Sequence, residues 1–186
     1  MVSIASLWLS ILLSAVLVFV LSSIIHMALR FHRHDYRPLP DEEAARAALG
    51  KQNLAPGQYA IPCPGDMKQM REPDTIRKYQ EGPVAFLTVL PPGCVKMRTK
   101  LVEWFAFSIG ISIFVAYLTS RTLTPGTEYL QVFRVAGTSA LLGYGGALVW
   151  GGIWKGVPRA NVWRDLFDAL VYALATAGAF AGFWPR

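Results

Sequence analysis

The run Tyr129–Trp154, YLQVFRVAGTSALLGYGGALVWGGIW, constrains the fold of this chain more than any other stretch, because its only charge is Arg134, near one end. An apolar helix of about 20 residues crosses a hydrocarbon core of roughly 30 Å, so a run of this length reads as a membrane span. Gly137, Gly143, Gly145, Gly146, Gly151 and Gly152 would weaken a helix standing in water. In lipid the same residues let helix backbones approach closely, which places this helix in the middle of a bundle.

Three more blocks have the length and apolarity of a span, and most of the 53% hydrophobic content is concentrated in the four. The reading is an all-α membrane protein with four transmembrane helices in a tight bundle: residues 4–29, 101–121, 130–154 and 163–184. Residues 30–100 form a cytoplasmic cap of short helices and a β-hairpin between the first and second spans. The first block has no basic start and no small-residue cleavage site before Arg30, and it exceeds the about 7–15 apolar residues of a secretory signal. It reads as a retained anchor.

Charge sets the orientation. Of the 18 Lys and Arg residues, 12 lie in Arg30–Lys100 and three in Lys155–Arg164; only Arg121, Arg134 and Arg186 are left for the other side. Basic residues next to spans stay in the cytoplasm, so both termini are expected outside, in the periplasm of a bacterial inner membrane. The net charge of +6 then belongs to the membrane boundary and its anionic headgroups. No basic-aromatic surface or motif points to nucleic acid.

Within the polar segment, Asp41 is placed to cap a helix over Glu42–Leu49 that Gly50 ends. Tyr59–Ile61 and Val84–Val89 are candidate strands, and Asp66–Gln80 is a helical stretch broken at Pro73. Cys63 and Cys94 lack metal-ligand spacing and, on the cytoplasmic side, are expected as free thiols.

The spans carry small residues at intervals of four: Ser6, Ser10 and Ser14 in the first, Ser108, Ser112, Ala116 and Ser120 in the second, Ser139, Gly143 and Ala147 in the third, and Ala169, Ala173, Ala177 and Ala181 in the fourth. These stripes read as helix-packing faces. All six tryptophans fall near predicted boundaries, as an aromatic belt. Asn161 is placed to cap the fourth span, and Arg164 to pair with Asp168 four residues on.

The groups able to do chemistry are few. His26, His32 and His34 are the candidate metal ligands, but a site also needs third and fourth ligands, which nearby only Asp35 or Cys63 could supply. Haem would need a histidine on another span. The histidines therefore read as a solvated boundary cluster, with no metal or cofactor expected. A polar cluster of His26, Glu103, Asp165 and Asp168 at the cytoplasmic boundary is the alternative site. No nucleophile elbow, HExxH, P-loop or GxGxxG occurs.

The stretches GPVAFLTVLPPG, YLQVFRVAGTSALLGYGG and DALVYALATAGAFAGFWP together resemble a family of small bacterial four-span inner-membrane proteins with no assigned activity. The resemblance implies the fold and the source and carries no catalytic residue. The leading expectation is a non-catalytic structural or accessory component that packs with itself or with a larger membrane complex. The alternative is a small transporter, channel or membrane enzyme using the boundary cluster.

Overall fold

In the computed structural model, which describes residues 2–94 and 96–186, the four apolar blocks are four long helices. The first span, Ile4–Ala28, starts as a 3₁₀ turn, continues as α1 (Trp8–Ser23) and ends in a wide π turn, Ile24–Ala28. The polar segment contains α2 (Glu42–Gly50), β1 (Gly57–Ile61), α3 (Met67–Met70), α4 (Pro73–Glu81) and β2 (Ala85–Val89). The remaining spans are α5 (Met97–Thr122), α6 (Tyr129–Trp154) and α7 (Arg159–Gly182). The chain is a multi-pass membrane protein, all-α apart from one small hairpin.

Two helices begin about one turn before their apolar runs. In α5 the extra residues include Arg98 and Lys100, good helix formers whose long side chains carry the charge away from the apolar run. In α7 the N-cap position belongs to Pro158, with its carbonyl accepting from the Asn161 and Val162 amides. Asn161 is therefore inside the helix and does not cap it.

The bundle is inside-out relative to a water-soluble core. Large side chains such as Leu12, Val20, Phe114, Leu142 and Leu174 face outward, where lipid covers them, while the interior takes small and hydroxyl residues. Ser108, Ser112, Ala116 and Ser120 of α5, and Ala169, Ala173, Ala177 and Ala181 of α7, are all buried. Close approach, not hydrophobic drive, holds such helices together. A Cβ on Gly137 would lie 3.2 Å from that of Ala177, and one on Gly145 3.4 Å from that of Ala169, along the α6–α7 seam.

On α6 the buried file is Val132, Ala136, Ala140 and Tyr144, one residue round from the predicted stripe. Ser139 is half-buried, and Ala147 is exposed. Gly143 still serves packing, because a Cβ there would lie 3.0 Å from Ile111 Cδ1 of α5. Small residues surround this helix, so their spacing alone does not choose a face. Tyr144 does, by inserting its ring among those of Trp104, Phe107 and Tyr172, with centroids 5.6–6.3 Å away.

Hydroxyls in the interior bond mainly to the carbonyl one turn back, and Ser14 Oγ also reaches across to the second span, donating to Ser112 Oγ at 2.8 Å. Two tryptophans leave the expected belt. Trp104 turns inward and donates to Ser22 Oγ at 2.9 Å, and Trp184 is buried with its Nε1 donating to the Thr124 carbonyl at 3.0 Å.

The segment from Arg37 to the start of α5 is a separate compact unit. Asp41 caps α2 by accepting from the Ala44 amide at 2.8 Å, and Asp66 caps α3 by accepting from the Gln69 amide at 2.7 Å. β1 and β2 pair antiparallel, with Tyr59 opposite Leu87. Cys63 and Cys94 are free and exposed. Among its described residues none is buried, and Val84, Phe86 and Leu90 stay exposed, so this unit has no sealed core of its own.

Candidate functional site

A cluster of two histidines and three aspartates forms where the end of the first span meets the start of α7. The π turn at Ile24–Ala28 closes with the Leu29 amide donating to the Ile24 carbonyl at 3.1 Å, five residues back. Such turns recur at functional sites because they re-aim a side chain on an otherwise regular helix. Here the re-aimed side chain is His26. Arg30 then takes a left-handed backbone, φ 49°, of the kind that ends helices, and a turn brings His32 and Asp35 back against α7.

His32 is the hub. Its Nδ1 lies 2.5 Å from Asp35 Oδ2 and its Nε2 lies 2.9 Å from Asp168 Oδ2. With both carboxylates ionised, hydrogen bonds on both sides place a proton on each ring nitrogen. Burial works against that charge, but the hydrogen bond to Asp35 and the field of Asp168 outweigh it, and His32 is held above the ordinary histidine range. Asp165 Oδ1 is 3.9 Å from the same Nδ1.

His26 stacks on His32, with ring centroids 4.4 Å apart and planes within 4° of parallel. Its Nδ1 sits 3.0 Å from the Ser22 carbonyl and must carry a proton to bond there. That directs Nε2 toward Asp168 Oδ2, 3.7 Å away. Asp168 is the most enclosed group, its side chain 6% exposed against 51% for His26. Its second oxygen, Oδ1, is buried without a hydrogen-bond partner among the described residues.

Two further residues hold the turn to α7. Arg164 Nε is 3.0 Å from Asp35 Oδ1, near enough to pair as ions but off-line for a hydrogen bond. Asn161 Nδ2 donates to the Asp35 carbonyl at 3.1 Å, and Arg164 Nη2 donates to Asn161 Oδ1 at 2.9 Å. Arg164 thus turns to Asp35, 129 positions earlier, and not to Asp168 on its own helix. A cleft of about 490 Å³ opens over the cluster, lined by His26, His32, Asp35 and Asp165 with Tyr36, Val157, Pro158 and Asn161.

Of the polar groups expected at this boundary, His26, Asp165 and Asp168 come together. Glu103 does not: it is exposed and accepts from Lys100 Nζ at 2.8 Å, because the rotation of α5 turns it away. His34 is exposed as well and accepts from Arg33 Nε at 2.6 Å. His32, Asp35 and Arg164 are the members left out of the expected polar cluster, with His32 read only as a candidate metal ligand, Asp35 only as a possible further ligand and Arg164 only as a partner of Asp168. Tyr172, four residues after Asp168 and so on the same face of α7, extends the site into the aromatic cluster with Trp104 and Tyr144. Set against protein-family models, curated proteins and solved structures, the chain matches none of them.

Proposed function

We propose that this is a bacterial inner-membrane protein that works through the His26, His32, Asp35, Asp165 and Asp168 cluster, as a small membrane enzyme or transporter. The concentration of Lys and Arg in residues 30–100 and 155–164 supports a cytoplasmic position for the cluster and periplasmic termini. One observation carries the reading: Asp168 is buried within a membrane span, with one oxygen against His32 and the other without a partner among the described residues, and its neighbours His26, His32, Asp35 and Asp165 line an open cleft. Ionisable groups at such positions are expensive, and in membranes they mark ligand, ion and proton sites.

The experiment is complementation. In a strain lacking the gene, His32→Gln and Asp168→Asn, each at wild-type abundance in the membrane, should fail to restore what the wild-type chain restores in genome-wide competitive growth. His34→Gln should restore it fully. Full restoration by the two site variants would defeat the proposal.

A second reading, a non-catalytic accessory component, draws on the separate unit between the first and second spans. Its uncovered Val84, Phe86 and Leu90 suit a partner surface. Most of the small-residue stripes, by contrast, are already consumed inside the single-chain bundle. Purification from native membranes in mild detergent followed by mass spectrometry tests this reading, which expects a stable complex and would be contradicted by a lone monomer.

A further inference from the structure

We infer that His26 Nε2, His32 Nε2 and the Asp168 carboxylate form a binding site for a divalent first-row transition-metal ion; this rests on the cluster being the working site proposed above. The three ligand groups come from the π turn at the end of the first span, from the turn that follows it and from α7, and their donor atoms lie within 4.8 Å of one another. Their separations from Asp168 Oδ2, 2.9 Å for His32 Nε2 and 3.7 Å for His26 Nε2, bracket the roughly 3.3 Å between neighbouring ligands that bonds of about 2.0–2.1 Å impose in a tetrahedron. Closing on an ion also needs the His26 and His32 rings, parallel at 4.4 Å here, to rotate so that the in-plane lone pairs of both Nε2 atoms converge on it.

The surroundings match what such ligands need. A metal-bound histidine ordinarily donates its other ring N–H to a carbonyl or a carboxylate, which fixes the tautomer and the ring orientation. Both partners are present: Ser22 O for His26 Nδ1 and Asp35 Oδ2 for His32 Nδ1. Asp35 is itself held by Arg164 and, through its carbonyl, by Asn161. On binding, the ion takes the place of the proton that His32 Nε2 shares with Asp168, and that proton leaves to solvent. Asp168 Oδ1 gives the carboxylate a second oxygen for the ion.

The ligand chemistry selects the metal class. Two imidazoles with one carboxylate suit Zn²⁺, Fe²⁺ or Co²⁺, whereas Mg²⁺ and Ca²⁺ prefer oxygen ligands throughout. Three protein ligands leave at least one coordination position, and two of them, His26 and His32, line the cleft of about 490 Å³. An open position of this kind characterises sites that act on or pass a ligand, in contrast to closed structural sites with four protein ligands. The alternative grouping of His32 Nδ1 with Asp35 and Asp165 has a single histidine, and that nitrogen is engaged by Asp35.

The test uses the full-length protein in detergent, stripped with chelator and titrated with Co²⁺ by visible absorption and with Zn²⁺ by calorimetry. The expected result is saturable binding of one equivalent with a ligand-field spectrum of nitrogen and oxygen donors. His26→Gln, His32→Gln and Asp168→Asn should each weaken binding by at least about 100-fold, more than the roughly 10–100-fold expected for the positioning variant Asp35→Asn, which should keep the spectrum. His34→Gln should bind like the wild type. Because His26 is half-exposed, its variant reports on the site without risking the bundle. Absence of one-equivalent binding, or unchanged affinity in His26→Gln, would overturn the metal site. If metal binding fails while the His32 and Asp168 variants still fail to complement, the working site stands without a metal. If those variants complement, both proposals fall.

Discussion

His26 and His32 lie six residues apart, yet their rings stack at 4.4 Å and within 4° of parallel, and both address one oxygen of Asp168. The π turn and the reversal at Arg30 produce this arrangement, and Arg164 with Asn161 holds it from α7.

If Arg164 and Asn161 secure the turn, loosening them should show locally. Arg164→Gln should speed amide hydrogen exchange across residues 31–36 severalfold and leave the spans protected. Lys155→Gln, which removes a cation lying over the Trp150 ring, should leave that segment unchanged. Equal exchange in the two variants would contradict the role given to Arg164.

Interhelical packing gives a prediction within a single helix. Gly137 meets Ala177 Cβ, which moves only with its backbone, while Gly146 has nothing within 4 Å. Gly137→Ala should therefore destabilise the bundle by about 1–3 kcal/mol, and Gly146→Ala should be neutral or stabilise it by about 0.4–1 kcal/mol. Reversible unfolding in mixed detergent micelles measures both. Equal effects would mean that the α6–α7 seam is misplaced.

The Ser14–Ser112 hydrogen bond joins α1 directly to α5 where both hydroxyls are buried. A double-mutant cycle with Ser14→Ala and Ser112→Ala should return a coupling of about 0.6 kcal/mol, typical of such bonds in membranes. The value is small because Ser14 also bonds the Ile11 carbonyl and Ser112 the Ser108 carbonyl. Strict additivity would separate the two helices at this level.

Orientation can be read from native reporters, since Cys63 and Cys94 are both exposed. In intact cells both should resist a membrane-impermeant maleimide and react after permeabilisation. A cysteine introduced at Thr127, between α5 and α6, should label at once. Labelling of the native pair in sealed cells would reverse the topology.

The spans were legible because lipid demands long apolar helices, and α2 was legible because Asp41 and Gly50 mark its ends. Rotation about each helix axis was much less so. Glu103 and Asp168 both sit near the same boundary in sequence terms, but only Asp168 faces inward, and hydropathy cannot tell the two apart. Trp104 and Trp184 read as belt residues because a tryptophan near a span end fits that role, yet Ser22 and the Thr124 carbonyl give their indole N–H groups partners inside. Asp35 and Arg164 were hidden for a different reason. Their contact depends on a π turn and a left-handed Arg30, and neither has a sequence signature.

The central claim is that the turn after the first span and α7 together make one site. It can be measured in native membranes with a variant carrying Cys63→Ser and Cys94→Ser, a protease site inserted at the exposed residues 51–53, and His32→Cys with Asp168→Cys. A short, reducible bifunctional thiol reagent should bridge the pair, so that the two fragments stay together after cleavage until reductant is added. A His32→Cys and Thr127→Cys pair should give separate fragments. Separate fragments from the His32→Cys and Asp168→Cys protein, with both thiols shown to react with maleimide, would contradict the account.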